Sequence, residues 1–169
     1  MKRRKFLKEA SLTGIGVAVS STILAKTSSN KEKSIKSIKS VKEKFPIVIS
    51  TWNVPTATIK AGELLENGLS SLDAIENGCM VEEADTKNQS VGYGGRPDRD
   101  GNVTLDACIM DKEGNYGSVV YMQNIVHAIS VARKVMEDTP HVILAGKGAE
   151  DFAASIGHKR GNLLTEASK

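Results

Sequence analysis

The sequence predicts an α+β domain with a mixed sheet under a layer of helices, and three observations support this class. Short runs rich in β-branched and apolar residues, typical of strands, occur at 45–51, 103–110, 116–122 and 141–145. Between them lie segments whose apolar residues recur at helical spacing, such as 128–137. Turn residues at 112–115 join two of the strands directly, which predicts an antiparallel hairpin.

Residues 1–25 are typical of a twin-arginine-type signal peptide. Arg3 and Arg4 precede a short apolar stretch that is diluted by glycine, serine and threonine and runs to about Ala25. This stretch is too short and too polar to favour a membrane span, and an uncleaved amphipathic anchor is the alternative. We therefore expect export across a bacterial inner membrane to the periplasm, with no membrane anchor after export.

Residues 26–44 are rich in Lys and Ser and predict a flexible linker, because few large apolar groups are available to offset the cost of ordering. A weak helical stripe through Ile35, Ile38 and Val41 is the alternative. Residues 1–44 carry 12 Lys+Arg and 3 Glu, a charge of +9, whereas the remainder carries 11 Lys+Arg and 17 Asp+Glu, a charge of −6. The basic balance lies in the leader and linker, so we expect no nucleic-acid partner.

Residues 45–169 are the predicted folded part. The run 45–51 predicts a first strand, after which Trp52 either fills the core or lines a pocket at a loop edge. A helix is expected over 56–67, with Gly68 at its C-terminal cap, and Ser70 or Ser71 is expected to cap a second helix.

The acidic run Glu82, Glu83 and Asp85 closes that second helix. It lacks the glycine and ligand order of a calcium loop, so a solvated helix end is favoured over a cation site. Further along, Pro140 is expected to stop the helix over 128–137, and Gly157 to cap a helix over 149–156.

The stretch from Ser90 to Asp111 combines a glycine-rich turn with an apolar run. Gly92, Gly94 and Gly95 allow positive φ or close approach of another group, and this turn belongs either to a site or to a plain sheet corner. The apolar run 103–110 predicts a strand buried on both faces, in which Asp106 would need hydrogen-bond partners.

No catalytic or metal-binding motif emerges from spacing. The histidines at 127, 141 and 158 pair with no nucleophile motif and no second metal ligand. Cys79 and Cys108 lie in apolar contexts, where two buried free thiols are favoured over a disulfide. The glycine run lacks the Lys-Ser/Thr of a phosphate loop. We therefore expect no metal and no cofactor.

From Pro46 to about Thr165, collinear blocks of sequence resemble the α-subunit of glycosylasparaginase, a member of the N-terminal nucleophile (Ntn) hydrolases of the asparaginase 2 family. The resemblance implies the N-terminal part of an αββα sandwich that is incomplete without a β-subunit. It also implies a precursor that cuts itself. The blocks that carry the resemblance are 50–53, 71–74, 90–98, 103–111, 129–137, 139–142 and 162–165.

The chemistry that the resemblance implies is hydrolysis of the amide between N-acetylglucosamine and asparagine in glycoprotein breakdown. The nucleophile is a threonine at the start of the β-subunit, with its own α-amine as base. By the same resemblance, Trp52 is a pocket residue for substrate and Ser90 supports the geometry of the site. Val54 stands where the family has Phe, which alters the pocket rim.

The family's self-cleavage motif, Gly-His/Asn-Asp-Thr-Ile-Gly, is absent from the 169 residues. We therefore expect no catalytic residue in this chain, no amidase activity from it alone, and a β-subunit or C-terminal segment as partner, in an (αβ)2 heterotetramer. The glycine-rich stretch then forms a wall around a site whose nucleophile arrives from elsewhere, with the glycines letting the backbone approach it closely. The alternatives are a truncated non-catalytic remnant or binding module of the same fold, and the corresponding part of an isoaspartyl peptidase or L-asparaginase.

Overall fold

The computed structural model describes residues 46–169, and the predicted signal peptide and linker lie outside them. Within this part the chain forms four helices and three strands, in the order helix, helix, hairpin, helix, strand, helix. The predicted α+β class is confirmed. None of these helices combines the length and the apolar character needed to cross a bilayer.

The first two helices, α1 (Pro55–Glu66) and α2 (Ser71–Ala84), pack against each other. Proline at the first position suits α1, because its missing N–H would have no partner there. Gly68 follows the end of α1 with a φ of +83°, as its predicted role at the cap requires. The Ser70 hydroxyl accepts a hydrogen bond from the Asp73 N–H at 3.1 Å and so caps α2, as predicted.

The sheet has the order β1–β2–β3 and is mixed, as predicted. Strands β1 (Leu105–Met110) and β2 (Tyr116–Met122) form the predicted antiparallel hairpin, with a bulge between Leu105 and Ala107. Strand β3 (Ile143–Ala145) pairs in parallel with β2. Helices α3 (Ala128–Asp138) and α4 (Gly146–Ser155) flank this last strand in sequence.

The core lies between α3 and one face of the hairpin. Gly117 on β2 makes this packing close, because a Cβ at that position would overlap the Ala132 carbonyl and the Met136 N–H of α3. The apolar side of α3 contributes Val131 and Val135, both fully buried. The large side chains that are fully buried across this layer are Met122, Ile125, Val119, Val131 and Val135.

The predicted first strand does not form within residues 46–51, which are irregular. Ile47 and Ile49 are 77% and 84% exposed, because no strand of the described chain lies beside them. A β-branched run needs a neighbouring strand to satisfy its backbone, and local composition does not supply one.

Strand β1 is not buried on both faces, contrary to the prediction. Leu105 and Ile109 are buried, whereas Asp106, Cys108 and Met110 are exposed, because helix α3 covers only one face of the hairpin in the described residues. Both cysteines are free, as favoured, yet Cys108 is exposed and Cys79 is only partly buried, which corrects the expectation of two buried thiols.

Candidate functional site

A cavity of about 530 Å³ opens between three parts of the chain: the irregular segment before α1, the facing sides of α1 and α2, and the side of β1 that α3 leaves uncovered. Its lining is largely apolar, with a few polar groups at its edge, which is the usual character of a small-molecule site. The lining residues used below are Trp52, Cys79, Glu82, Glu83, Asn88, Val91 and Asp106.

Trp52 lies in the wall of this cavity with 73% of its surface exposed. Its backbone is held in place locally. The Ser50 hydroxyl donates to the Trp52 carbonyl at 2.7 Å, and the Val54 N–H donates to the same carbonyl at 2.9 Å. The indole is therefore an exposed apolar surface on a turn whose backbone is held by hydrogen bonds. Trp52 was expected either to fill the core or to line a pocket at a loop edge, and the structure supports the second alternative.

Ser90 lies beside the cavity and does not line it. Its side chain is exposed, and its N–H donates to the Asn88 side-chain oxygen at 3.0 Å. The next residue, Val91, lines the cavity. The structure thus brings the Ser90 turn to the rim of the cavity that Trp52 lines.

The glycine corner, defined here as residues 90–95, packs against the end of α2. Gly92 and Gly94 have φ of +62° and +89°. A Cβ on Gly92 would overlap the Glu83 carbonyl, and the Tyr93 N–H donates to that carbonyl at 2.7 Å. The predicted close approach is present, and its partner is α2 of this same chain. The close approach of the glycines to a nucleophile from another polypeptide segment stays a prediction.

The acidic run at the end of α2 is not a solvated helix end, contrary to the prediction. Glu83 is only 7% exposed, and one of its carboxylate oxygens accepts the Ile129 N–H at 2.9 Å. The other oxygen lies 3.3 Å from the His127 Nδ1. Glu83 therefore caps the start of α3 from a different helix. Of the run, Asp85 is the exposed member, and it accepts the Lys87 N–H at 2.9 Å.

Glu82 reaches the start of α1 in the same way. It accepts a hydrogen bond from the Thr56 hydroxyl and a second from the Asn88 side-chain amide at 2.8 Å. The adjacent residues Glu82 and Glu83 of α2 therefore bond to the beginnings of α1 and α3, respectively. The sequence carries no local signal for this, because the partners of the two carboxylates lie 26 and 46 residues away.

Burial shapes the electrostatics of this wall. It raises the pKa of Glu83, and the hydrogen bonds from His127 and the Ile129 N–H oppose that rise. Burial also raises the pKa of the Cys79 thiol, and the neighbouring charges of Glu83 and Glu82 raise it further. Cys79 is therefore held as the neutral thiol, which is the less reactive form.

Asp106 has a structural partner. It is exposed and accepts the Tyr121 N–H at 2.7 Å, beside the bulge in β1. Tyr121 has a φ of +51°, an uncommon conformation for an aromatic residue, and this hydrogen bond stabilises it. The structure thus supplies the hydrogen-bond partner that a carboxylate in this strand was expected to need.

Several polar side chains at the cavity are engaged in hydrogen bonds within the chain. The hydroxyls of Ser50 and Thr58 at the cavity bond to backbone carbonyls of their own turns, and both oxygens of Glu82 are engaged. Within residues 46–169, no three His, Cys, Asp or Glu side chains lie close enough together to hold a metal ion.

These features define the class first: an α+β domain that presents one wall of an apolar cavity with an exposed tryptophan. The family model described as asparaginase matches residues 32–169, and the chain belongs to that family. The resemblance found in the sequence is confirmed.

Relatives called N4-(β-N-acetylglucosaminyl)-L-asparaginase narrow the class further. The chain is 57% identical over 125 residues to the one from Elizabethkingia miricola, covering 73% of this chain and 37% of the relative. It is 44% identical over 126 residues to the one from Mus musculus, covering 74% of this chain and 36% of the relative. The one from Rattus norvegicus is 43% identical over 126 residues, with the same coverage of 74% and 36%. The chain therefore spans little more than a third of the length of these relatives.

Proposed function

We propose that this chain forms the α-half of an N4-(β-N-acetylglucosaminyl)-L-asparaginase, which hydrolyses the amide between N-acetylglucosamine and the asparagine side chain. The observation that carries the proposal is the exposed Trp52 in the wall of the 530 Å³ cavity. An indole face is suited to packing against the apolar side of a sugar ring or an extended side chain. The names of the relatives, at up to 57% identity, support this substrate class.

We propose further that a second polypeptide segment supplies the reacting group, a threonine at a chain start. Its hydroxyl attacks the side-chain amide carbon while its α-amine takes the proton, the glycosylamine leaves, and water then cleaves the ester. The proposal is consistent with the local hydrogen bonds of Ser50 and Thr58, which hold their hydroxyls on backbone carbonyls. In this arrangement Trp52 binds substrate, Ser90 supports the site from the rim, and the two segments assemble as an (αβ)2 tetramer.

The test is coexpression of this chain with the part of the Elizabethkingia miricola relative that follows the matched region. We expect the complex to release aspartate from glycosylasparagine, and the 169-residue chain alone to release none. Trp52→Ala in the complex should raise KM, whereas Tyr116→Ala, at another exposed aromatic that does not line the cavity, should leave KM unchanged. An inactive complex would reject the activity, and an active chain alone would reject the two-segment arrangement.

The description of the family as asparaginase favours a second function, the hydrolysis of L-asparagine or of an isoaspartyl dipeptide. The same complex distinguishes the two functions by its rates. Each substrate releases aspartate, so one assay gives a kcat/KM for every substrate. A kcat/KM for L-asparagine or for an isoaspartyl dipeptide above that for glycosylasparagine would favour the second function. Binding of glycosylasparagine without turnover would favour a non-catalytic binding module.

We also propose that the protein is exported to the periplasm through the arginine pair near its start. The support is the order of Arg3, Arg4 and the mildly apolar stretch behind them. Replacing both arginines with lysine preserves the charge and removes the receptor-read signal. Fractionation of cells should then find the variant in the cytoplasm and the wild type in the periplasm. Equal distribution of the two forms would contradict the proposal.

A further inference from the structure

A continuous set of hydrogen bonds runs along the edge of the cavity from the first turn of α1, which follows Trp52 in the chain, to Ser90. It begins at the Thr56 hydroxyl, which donates to one carboxylate oxygen of Glu82. The other oxygen of Glu82 accepts the Asn88 side-chain amide at 2.8 Å. The Asn88 side-chain oxygen then accepts the Ser90 N–H at 3.0 Å. Glu82 and Asn88 thus each use their two terminal polar atoms to contact two different neighbours.

The Thr56 end of this set is tied to Trp52. Pro55 fixes the backbone between them, and the carbonyl of Val54 accepts the Thr58 N–H at 3.3 Å as α1 begins. The Val54 N–H in turn donates to the Trp52 carbonyl at 2.9 Å. A displacement of the first turn of α1 therefore displaces the turn that carries the indole.

The Ser90 end is held by one side chain. The Asn88 Nδ2 depends on Glu82 for its acceptor, and Asn88 Oδ1 is the acceptor for the Ser90 N–H. Glu82 and Asn88 are both partly buried and both line the cavity, so water competes less for these bonds than at an open surface. A charged acceptor also makes the Glu82 bonds stronger than neutral ones.

We infer that Glu82 and Asn88 are positioning residues that fix the Ser90 turn relative to Trp52 across the cavity rim. The inference rests on the proposed function only in so far as Trp52 and Ser90 belong to the substrate site. Each polar side-chain atom of Glu82 and Asn88 already has a partner within the chain, namely the Thr56 hydroxyl, the Ser90 N–H or the other of the two side chains. Their contribution is to geometry.

The first test is amide exchange followed by NMR in the 169-residue chain. Asn88→Asp keeps the acceptor for the Ser90 N–H and sets two carboxylates against each other, so Ser90 should exchange about fivefold faster or more. Glu82→Gln alone should be tolerated, because its amide can donate to the Thr56 hydroxyl and its oxygen can still accept from Asn88. The emission of Trp52, the only tryptophan, should shift in Asn88→Asp and not in Glu82→Gln.

The decisive variant combines the two changes. In Glu82→Gln with Asn88→Asp the charge moves from one residue to the other, the shapes are kept, and the bond between them reforms with the donor on residue 82. Exchange at Ser90 should return to within about twofold of the wild type. Recovery of this kind reports the interaction between the two side chains, because an effect that Asn88→Asp has independently of residue 82 would persist in the double variant. Failure to recover, with a folded double variant, would overturn the inference.

Two control variants distinguish the effect of these hydrogen bonds on Ser90 from a general loss of packing between α1 and α2. Thr56→Val removes the hydroxyl at the far end and should speed exchange at Ser90. Thr58→Val removes a hydroxyl of the same helix that bonds only to the Pro55 carbonyl, and should leave Ser90 unchanged. Equal changes in the exchange rate at Ser90 in the two variants would contradict the coupling between the first turn of α1 and the Ser90 turn.

The functional measurement uses the coexpressed complex described above. Asn88→Asp should change KM or kcat for glycosylasparagine, and the double variant should restore the wild-type value. If the wild-type complex is inactive, the proposed function fails while exchange at Ser90 still decides whether the coupling exists. If the complex is active and Asn88→Asp leaves both constants unchanged, the positioning role fails while the proposed function stands.

Discussion

The sheet side and the cavity side of this domain are stabilised by different interactions. On the sheet side, α3 packs its apolar face on β1 and β2, and the contact is made by fully buried residues such as Val119 and Val131. On the cavity side, α1 and α2 pack through small residues such as Ala61 and Gly78, and the carboxylates of Glu82 and Glu83 bond to the starts of other helices. Apolar residues such as Ile49 and Trp52 remain exposed there. The difference indicates that the sheet side provides the cohesion and the cavity side provides a shaped surface.

The largest expected effect contrasts a buried side chain with an exposed one. Met122→Ala removes a fully buried residue of the sheet side, and should lower the free energy of unfolding by about 3 kcal/mol. Ile49→Ala on the cavity side should change it by less than about 0.5 kcal/mol. Urea unfolding followed by circular dichroism measures both. Similar losses for the two variants would mean that the segment before α1 contributes to the core.

The second-largest effect is expected from substituting two glycines, one on the sheet side and one on the cavity side of the domain. Gly117→Ala would drive a methyl group into the backbone of α3, and Gly92→Ala would drive one into the Glu83 carbonyl at a positive φ. Each should cost about 2 kcal/mol, since backbone must move to relieve the overlap. Gly148→Ala is the matched control, because it lies in α4 with nothing within 4 Å of the added methyl group. That variant should leave the free energy of unfolding unchanged or raise it slightly. A loss of stability in it would mean that the losses at Gly117 and Gly92 do not report the overlap with backbone.

A smaller effect is expected where the two sides are joined. Arg133 on α3 donates to Asp73 at 2.7 Å and to Glu76 at 2.6 Å on α2, and to Glu137 at 2.7 Å on its own helix. Arg133→Met should cost about 1–2 kcal/mol, because three carboxylates lose a common donor. Lys147→Met, which breaks an exposed pair with Asp151, should cost less than about 0.5 kcal/mol. Thermal denaturation that ranks the two variants equally would contradict the role of Arg133 as the link.

The smallest effect depends on pH. Burial raises the pKa of Glu83 in the folded state, so the neutral carboxyl is favoured there. The stability that this group contributes is fully present below its unfolded pKa, and is lost as the pH rises through the folded pKa. Glu83→Gln, which mimics the neutral form, should therefore match the wild type near pH 4 and melt at a higher temperature at pH 7. A variant that melts lower at pH 7, with a gap that narrows as the pH falls below 4, would show that the charge of Glu83 stabilises the fold.

Sequence reasoning succeeded where local signals decide the structure. The Ser70 cap, the glycine after α1 and the bounds of β2 were all predicted, because each depends on residues close in sequence. It failed where the outcome depends on distant partners. The strand expected at 45–51 has no neighbour in the described chain, and Glu82 and Glu83 bond to groups on other helices.

The candidate site divides in the same way. Trp52 was identified by resemblance, and the structure brings it to a cavity. The carboxylates that organise the cavity wall were misread as solvated, since a Glu at a helix end has the same local context in either case. Their detection requires knowledge of which helix starts lie nearby, and that is a property of the fold.

The bulge beside Asp106 also affects how this domain behaves at high concentration. Within the described residues, β1 lies at the margin of the sheet, where unpaired backbone groups offer a template for strands of other molecules. The bulge interrupts that margin after Leu105, and an exposed negative charge at Asp106 lies beside the interruption. On β1, the stretch open to intermolecular pairing is thereby confined to the residues from Ala107 to Met110, which is shorter than the segments of about six residues that typically form cross-β structure.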